Sequence, residues 1–117
     1  MPMPIKRLAT VGTVAVGTNV ALLSPTTGYW YLCSVTAANR GTTTAYITIW
    51  IKPSGATSNA ETQMSYYAYQ IPLAPSDVWE SLRFGLNPGD ILYANASTTA
   101  VGFTVNGIDQ LNDMLAV

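Results

Sequence analysis

Apolar and polar residues alternate along this chain with a period of two, in segments broken at short intervals by Gly, Pro, Asn and Ser. Successive side chains of a strand point to opposite faces, so this alternation buries one face and wets the other, and it fits no helix. The pattern is clearest over residues 43–52, where Ile47, Ile49 and Ile51 share one face and Tyr46, Thr48, Trp50 and Lys52 share the other. The isoleucine face is the core face. A slip of one residue would exchange the two faces, which specifies the register.

Comparable segments run over residues 8–16, 20–23, 29–38, 63–71, 77–84, 91–96 and 100–105. Together they predict about eight strands and an all-β fold, an antiparallel β-sandwich of jelly-roll or Greek-key type. Asn39-Arg40-Gly41 reads as a turn tolerant of positive φ that joins the third and fourth strands as a hairpin, and residues 97–99 read as the turn of a last hairpin. Pro88-Gly89 within Leu86-Asn87-Pro88-Gly89-Asp90 suits the two central positions of a type II turn. Residues 53–60 are small and polar and predict an exposed, mobile loop. Ile108, Leu111 and Leu115 recur at helical spacing, so the end of the chain is expected to be a short helical or extended tail that docks on its own domain or on a neighbouring copy. The expected organisation is an N-terminal arm over 1–7, a sandwich over 8–109 and a C-terminal tail over 110–117.

A length of 117 residues fits one domain with one core. Only 9% of the residues are charged, against roughly 25% in an ordinary soluble domain, while 49% are hydrophobic. The mean hydropathy of +0.23 makes the chain too apolar for disorder. With a net charge of −1 and a pI near 4.9 it has no excess of Lys or Arg to meet phosphates, which argues against nucleic acid and anionic membranes as partners. Little net repulsion separates copies, so self-association is expected. Lys6-Arg7 ahead of an apolar stretch superficially resembles a signal peptide, but Thr10, Gly12, Thr13, Gly17, Thr18 and Asn19 interrupt the apolar run, and a cytoplasmic origin without a signal peptide is expected. Asn19, Pro25 and Gly28 likewise break the uncharged stretch from Leu8 to Asn39 before it could span a bilayer.

The residues that carry chemistry are sparse. There is no histidine, one cysteine and six carboxylates. Cys33 sits between Tyr31 and Val35 at period two and reads as a small buried apolar side chain, because a reactive thiolate needs an electropositive partner. Asp77 and Glu80 are close in sequence, yet positions three apart on a strand face opposite ways and do not form the converging pair of a glycosidase. Asp90, after Pro88-Gly89, is expected to close its turn by accepting backbone hydrogen bonds. Neither zinc-ligand spacing, nor a calcium loop, nor a phosphate-cradling glycine motif is present in the sequence, so no metal, no cofactor and no enzymatic activity are expected. Asn95-Ala96-Ser97 matches a glycosylation sequon, which matters only in a eukaryotic secretory context.

The aromatic residues are the stronger signal. Tyr29-Trp30-Tyr31 and Tyr66-Tyr67-Ala68-Tyr69 each place rings on both faces of a strand, and Trp50 lies opposite the isoleucine face. Exposed Tyr and Trp anchor protein interfaces or stack on sugar rings. The candidate interface residues are therefore Trp30, Trp50, Tyr66 and Tyr67, with Ile5, Lys6 and Arg7 of the arm and Leu111, Met114 and Leu115 of the tail.

Two stretches carry a family resemblance. Ser34-Val35-Thr36-Ala37-Ala38-Asn39, leading through a Thr-rich turn into Ile47-Thr48-Ile49-Trp50-Ile51-Lys52-Pro53-Ser54-Gly55, and Ile71-Pro72-Leu73 followed by Leu86-Asn87-Pro88-Gly89-Asp90-Ile91-Leu92-Tyr93-Ala94, resemble small β-sandwich accessory proteins of tailed bacteriophage virions. The similarity covers residues 31–109. It implies a capsid cement or decoration protein, or a related tail accessory, that assembles as a homo-oligomer, commonly a trimer, on the major capsid protein of the virion surface. It brings no catalytic residues with it. The alternative is a receptor-facing or carbohydrate-binding β-sandwich, motivated by the tyrosine clusters.

Overall fold

A computed structural model describes residues 5–12, 18–25, 28–58 and 60–111. It contains nine strands: β1 (Lys6–Val11), β2 (Val20–Leu23), β3 (Tyr29–Asn39), β4 (Ala45–Lys52), β5 (Ser65–Leu73), β6 (Val78–Glu80), β7 (Phe84–Leu86), β8 (Ile91–Ala96) and β9 (Val101–Leu111). One 3-10 turn, Glu61–Gln63, precedes β5, and there is no α-helix among the described residues.

The strands form two packed antiparallel sheets. The first has the order β1-β9-β3-β6, with β7 also paired to β3, and the second has the order β2-β8-β4-β5. The pairs β4–β5, β3–β6 and β3–β7, β2–β8 and β1–β9 nest inside one another along the chain. A long hairpin with its tip at β4–β5 has thus been rolled up so that successive pairs fall in alternate sheets, which is the jelly roll. The sixth segment of the sequence pattern, residues 77–84, is split at Ser81, leaving β6 and β7 side by side on β3. Ser81 keeps the ladder continuous there: its N–H donates to the Val35 carbonyl at 2.9 Å, and its hydroxyl accepts the Val35 N–H at 2.9 Å.

Two connections differ from the sequence expectation. β3 and β4 do not pair as a hairpin, and neither do β8 and β9; each of these pairs crosses from one sheet to the other. At the β3–β4 connection the reason lies at Asn39, which is 2% exposed. Its side-chain amide donates to the Thr43 carbonyl and the Leu73 carbonyl, both at 2.9 Å, and its Oδ1 accepts the Gly41 N–H at 2.9 Å. Its backbone N–H donates to the Asp77 carbonyl, and its own carbonyl accepts the Ser76 N–H. A polar side chain thereby satisfies backbone groups that a tight hairpin would have paired in its ladder. Neither Asn39 nor Gly41 takes the positive φ expected from the sequence.

Strand ends also differ. Lys6 and Arg7 lie within β1, where they face Gly107 and Asn106 of β9, rather than in an arm ahead of the sandwich. β9 continues through Asp109 and Gln110 to Leu111, so the helical spacing at 108–111 falls on a strand. Residues 13–16 of the expected first strand and residues 112–117 of the tail lie outside the described residues. In the small-polar loop, Gln63 accepts the Thr57 N–H at 2.8 Å and donates to the Thr57 and Ser58 hydroxyls, while Ala56 N–H donates to the Pro53 carbonyl.

The core sits between the sheets. β3 contributes Tyr31, Cys33, Val35 and Ala37, and β9 contributes Val101, Phe103 and Val105. From the second sheet come the isoleucines of β4 together with Leu92, Ala94 and Ala96 of β8. At several positions in these ladders a large side chain faces a small one, with Ile47 opposite Ala96, Ile49 opposite Ala94 and Ala37 opposite Phe103. Fully burying side chains the size of Ile47, Ile49, Leu92 and Phe103 stabilises the fold by about 1.5–3 kcal/mol each. β3 and β9 pair along their whole length, from Tyr29 opposite Leu111 to Asn39 opposite Val101. Gly107 faces Cys33 in that ladder, where a Cβ would come within 2.1 Å of the Leu32 carbonyl oxygen, so no side chain fits.

Asn39→Ala is expected to lower the unfolding free energy in urea titrations by at least about 2 kcal/mol, because buried carbonyls and an N–H lose their partners. Gly107→Ala is expected to cost about 1–3 kcal/mol in the same titration by wedging β9 from β3.

Candidate binding groove

The outer face of the second sheet carries most of the exposed rings. β4 places Tyr46, Thr48 and Trp50 there in alternation, as the sequence pattern requires. β8 adds Tyr93 opposite Trp50 and Asn95 opposite Thr48. Trp50 and Tyr93 stack with ring centroids 5.4 Å apart and planes 15° from parallel. Tyr66 of β5, opposite Trp50 on the other side, approaches it at 6.1 Å. Trp50 is consequently buried although it points away from the core, and it forms the floor beneath neighbouring tyrosines.

The irregular path of β5 completes the wall. Ile47 faces Ile71, Ile49 faces Ala68 and Trp50 faces Tyr66, so β5 has more residues than β4 over the same span and bulges twice. Gln70 takes φ 47° at one of the bulges, and its N–H donates to the Thr48 hydroxyl at 3.1 Å. A bulge displaces the period-two alternation by one residue. Tyr66 and Tyr69, three apart, therefore come together edge to face at 5.1 Å. Tyr67 turns elsewhere and stacks on Phe84 at 4.6 Å.

Between these walls lies a groove of about 630 Å³. Its polar lining is uncharged. Asn95 donates to Asn19 Oδ1 at 2.8 Å, Ser97 accepts the Tyr46 N–H at 2.8 Å, and Gln70 and Thr48 lie between the rings. No Asp, Glu, Lys or Arg is among the described lining residues. From Tyr46 to Trp50 it runs about 13 Å along β4.

The sequence-derived candidates separate in space. Trp50 and Tyr66 meet in the groove. Trp30 lies half-buried on β3 in the other sheet, and its indole N–H has no hydrogen-bond partner among the described residues. Ile5 is 66% exposed and borders a smaller hollow of about 340 Å³ on the first sheet, shared with Glu80 and Arg83. Lys6 pairs with Asp109 at 2.9 Å, and Arg7 is exposed on β1. Leu111 ends β9 opposite Tyr29, while Met114 and Leu115 lie outside the described residues. Tyr46, Tyr69 and Tyr93, with the amides of Asn19, Asn95 and Gln70, were not among the candidates. The alternation on β4 and β8 carries the signal for Tyr46, Tyr93 and Asn95; the bulges hide it for Tyr69.

The groups with reactive potential are tied up elsewhere. The Asp90 carboxylate accepts the Asn87 and Ser54 N–H groups, each at 2.9 Å, and so fastens the Pro88-Gly89 turn, where Gly89 takes φ 87°. Asp77 accepts the Val78 N–H at 3.0 Å. Burial pushes the Cys33 thiol from about 9 up to about 12. Burial also raises the Tyr67 hydroxyl, with nearby Cys33 and Asp90 acting in the same direction. Among the described residues no three His, Cys, Asp or Glu side chains cluster to hold a metal ion, and no helix is long and apolar enough to cross a membrane.

In the native state Cys33 is expected to resist iodoacetamide at neutral pH and to react on unfolding in urea, as read by mass spectrometry. Its folded pKa lies above its unfolded value, so its contribution to stability is complete below pH 9 and is lost as pH climbs toward 12. Urea midpoints measured across that window are expected to fall less steeply for Cys33→Ala. No family model, curated protein or solved structure matches this chain.

Proposed function

We propose that this chain is a structural protein of tailed-phage virions, a decoration subunit that lies on the capsid surface and bridges major capsid subunits as a homo-oligomer, with a trimer favoured. The observation that carries this reading is the outer face of the first sheet. There Ser34, Thr36 and Ala38 of β3 lie beside Asn106, Thr104 and Gly102 of β9 in register. The resulting strip is made of short, uncharged side chains, already half-buried by their neighbours. The strip itself carries no ion to strand away from water, whereas burying an unpaired charge costs several kcal/mol; the charges that flank it, Glu80 opposite Thr36 and Arg7 opposite Asn106, are exposed at its margins.

Three further points support it. The jelly roll is an architecture that viral shells use, although a fold by itself does not fix a function. The phage accessory proteins that residues 31–109 resemble assemble in this way. The scarcity of charge, 9% of residues, suits a surface that neighbouring copies cover. A subunit of this kind stabilises a lattice by geometry: each contact is modest, and repetition over the shell makes the contacts cumulative.

The test is to band particles from the source lysate on a density gradient and quantify this chain's peptides against the major shell protein. Co-banding at comparable stoichiometry supports the decoration role, and a few copies per particle move the protein to the tail or a vertex. Absence from particles overturns the reading. Light scattering of the purified protein is expected to return the mass of three 12.5 kDa chains.

A further inference from the structure

We propose that the groove on the outer face of the second sheet is a binding site for an uncharged glycan chain. It rests on observations separate from those behind the virion role, since the strip proposed to pack against the capsid belongs to the other sheet.

The lining dictates the ligand class. Tyr69 is 51% exposed and Tyr66 36% exposed, and Trp50 and Tyr93 support them from below. Flat ring faces of this kind attract the C–H faces of a pyranose, which are weakly positive against the negative face of the π system. Between the rings stand amides. Asn95 uses one donor on Asn19, which leaves its Oδ1 acceptor and its second N–H without a partner among the described residues. Gln70 is held at the rim by its backbone bond to Thr48, whose hydroxyl retains its own proton to donate. A side-chain amide offers a donor and an acceptor side by side, the arrangement that matches neighbouring hydroxyls on a sugar ring.

Charge and shape exclude the competing ligands. With no carboxylate, ammonium or guanidinium among the described lining residues, the groove has nothing to offset the desolvation of a phosphate, a sulfated sugar or a cationic peptide. A proline-rich peptide also favours aromatic grooves, but it presents carbonyl acceptors with few donors, so the acceptor half of each amide would stay unmatched. The volume of about 630 Å³ falls within the range of small-ligand clefts. The length of the groove exceeds one pyranose ring, so a chain rather than a monosaccharide occupies it.

The backbone prepares the site before any ligand arrives. The bulge between Tyr66 and Ala68 in β5 brings Tyr66 and Tyr69 to the same face, and the positive φ of Gln70, at the second bulge, is a conformation that L side chains rarely adopt. Such strain persists where surrounding structure enforces it, and it clusters at binding sites.

The test is a titration of the isotope-labelled full chain with cellohexaose, maltohexaose and chitohexaose, followed by amide chemical shifts. At least one of the three is expected to shift Thr48, Trp50, Tyr93 and Asn95 selectively at millimolar concentration. Tyr69→Ala and Asn95→Ala are expected to weaken that binding by about tenfold each, while Tyr67→Ala, whose ring stacks on Phe84, leaves it unchanged. If Tyr69→Ala disturbs the fold, Tyr46→Ala at the far end of the groove replaces it. The proposal is overturned if none of the three sugars moves these signals, if binding survives the groove substitutions, or if a proline-rich decapeptide binds there and the sugars do not. None of these outcomes bears on particle co-banding, so the two proposals fail separately.

Discussion

Rolling a long hairpin into two sheets requires the chain to leave one sheet and enter the other at each corner, and the corner at Asn39 makes this possible. A strand that departs from its sheet abandons its ladder, and each abandoned backbone group that stays buried costs as much as a lost hydrogen bond. The Asn39 amide meets the carbonyls of Thr43, just past the corner, and of Leu73, at the end of β5. Its backbone holds Ser76 and Asp77, which lead into β6. One buried residue therefore ties the β3–β4 corner to the β5–β6 corner. Without it, pairing β3 with β4 as a simple hairpin would satisfy more backbone groups than crossing between sheets.

Once the corner is fixed, packing follows from the ladders. Ile47 and Ile49 of β4 stand opposite alanines of β8, and Cys33 stands opposite a glycine, so at these positions bulk on one strand meets space on its neighbour, while Ile51 meets Leu92. Among the described residues the buried polar side chains are Asn39 and Asp90, and the Asp90 carboxylate accepts two backbone N–H groups. The whole molecule measures 51 × 35 × 20 Å. A body this thin exposes two broad faces, and their character is set by what alternates outward.

The sequence made the sandwich legible because its signal is local. Alternation over β3, β4 and β8 fixes which residues face the core, and the Pro-Gly turn before Asp90 appears where expected. Partner choice between strands was not legible. An Asn-Arg-Gly segment between two alternating runs is what a hairpin turn looks like, and only the tertiary contacts of Asn39 decide for a crossing. The groove was half legible for the same reason: Trp50 follows from β4 alone, while Tyr69 joins Tyr66 only because β5 contains bulges that no alternation rule anticipates. Lys6, Arg7 and the 109–111 segment were read as ends because ladders to a distant strand leave no mark in local composition.

The two outward faces solve different problems with the same scarcity of charge. On the first sheet, short side chains make an uncharged strip with Glu80 and Arg7 at its margins, the face proposed to meet a partner. On the second, rings and amides make a concavity that a neutral, hydroxyl-rich chain can fill. In the proposed roles neither surface would draw its partner from a distance, because long-range steering needs net charge. Recognition at both is therefore short-ranged, and single contacts are weak. On the proposed lattice that arithmetic would change: many copies held in fixed positions by one face would present the other face repeatedly, and the effective concentration of the remaining grooves would rise once one is engaged. Because the faces belong to opposite sheets, occupation of one leaves the other open, and a weak site becomes effective through the same repetition that makes a weak bridging contact worthwhile.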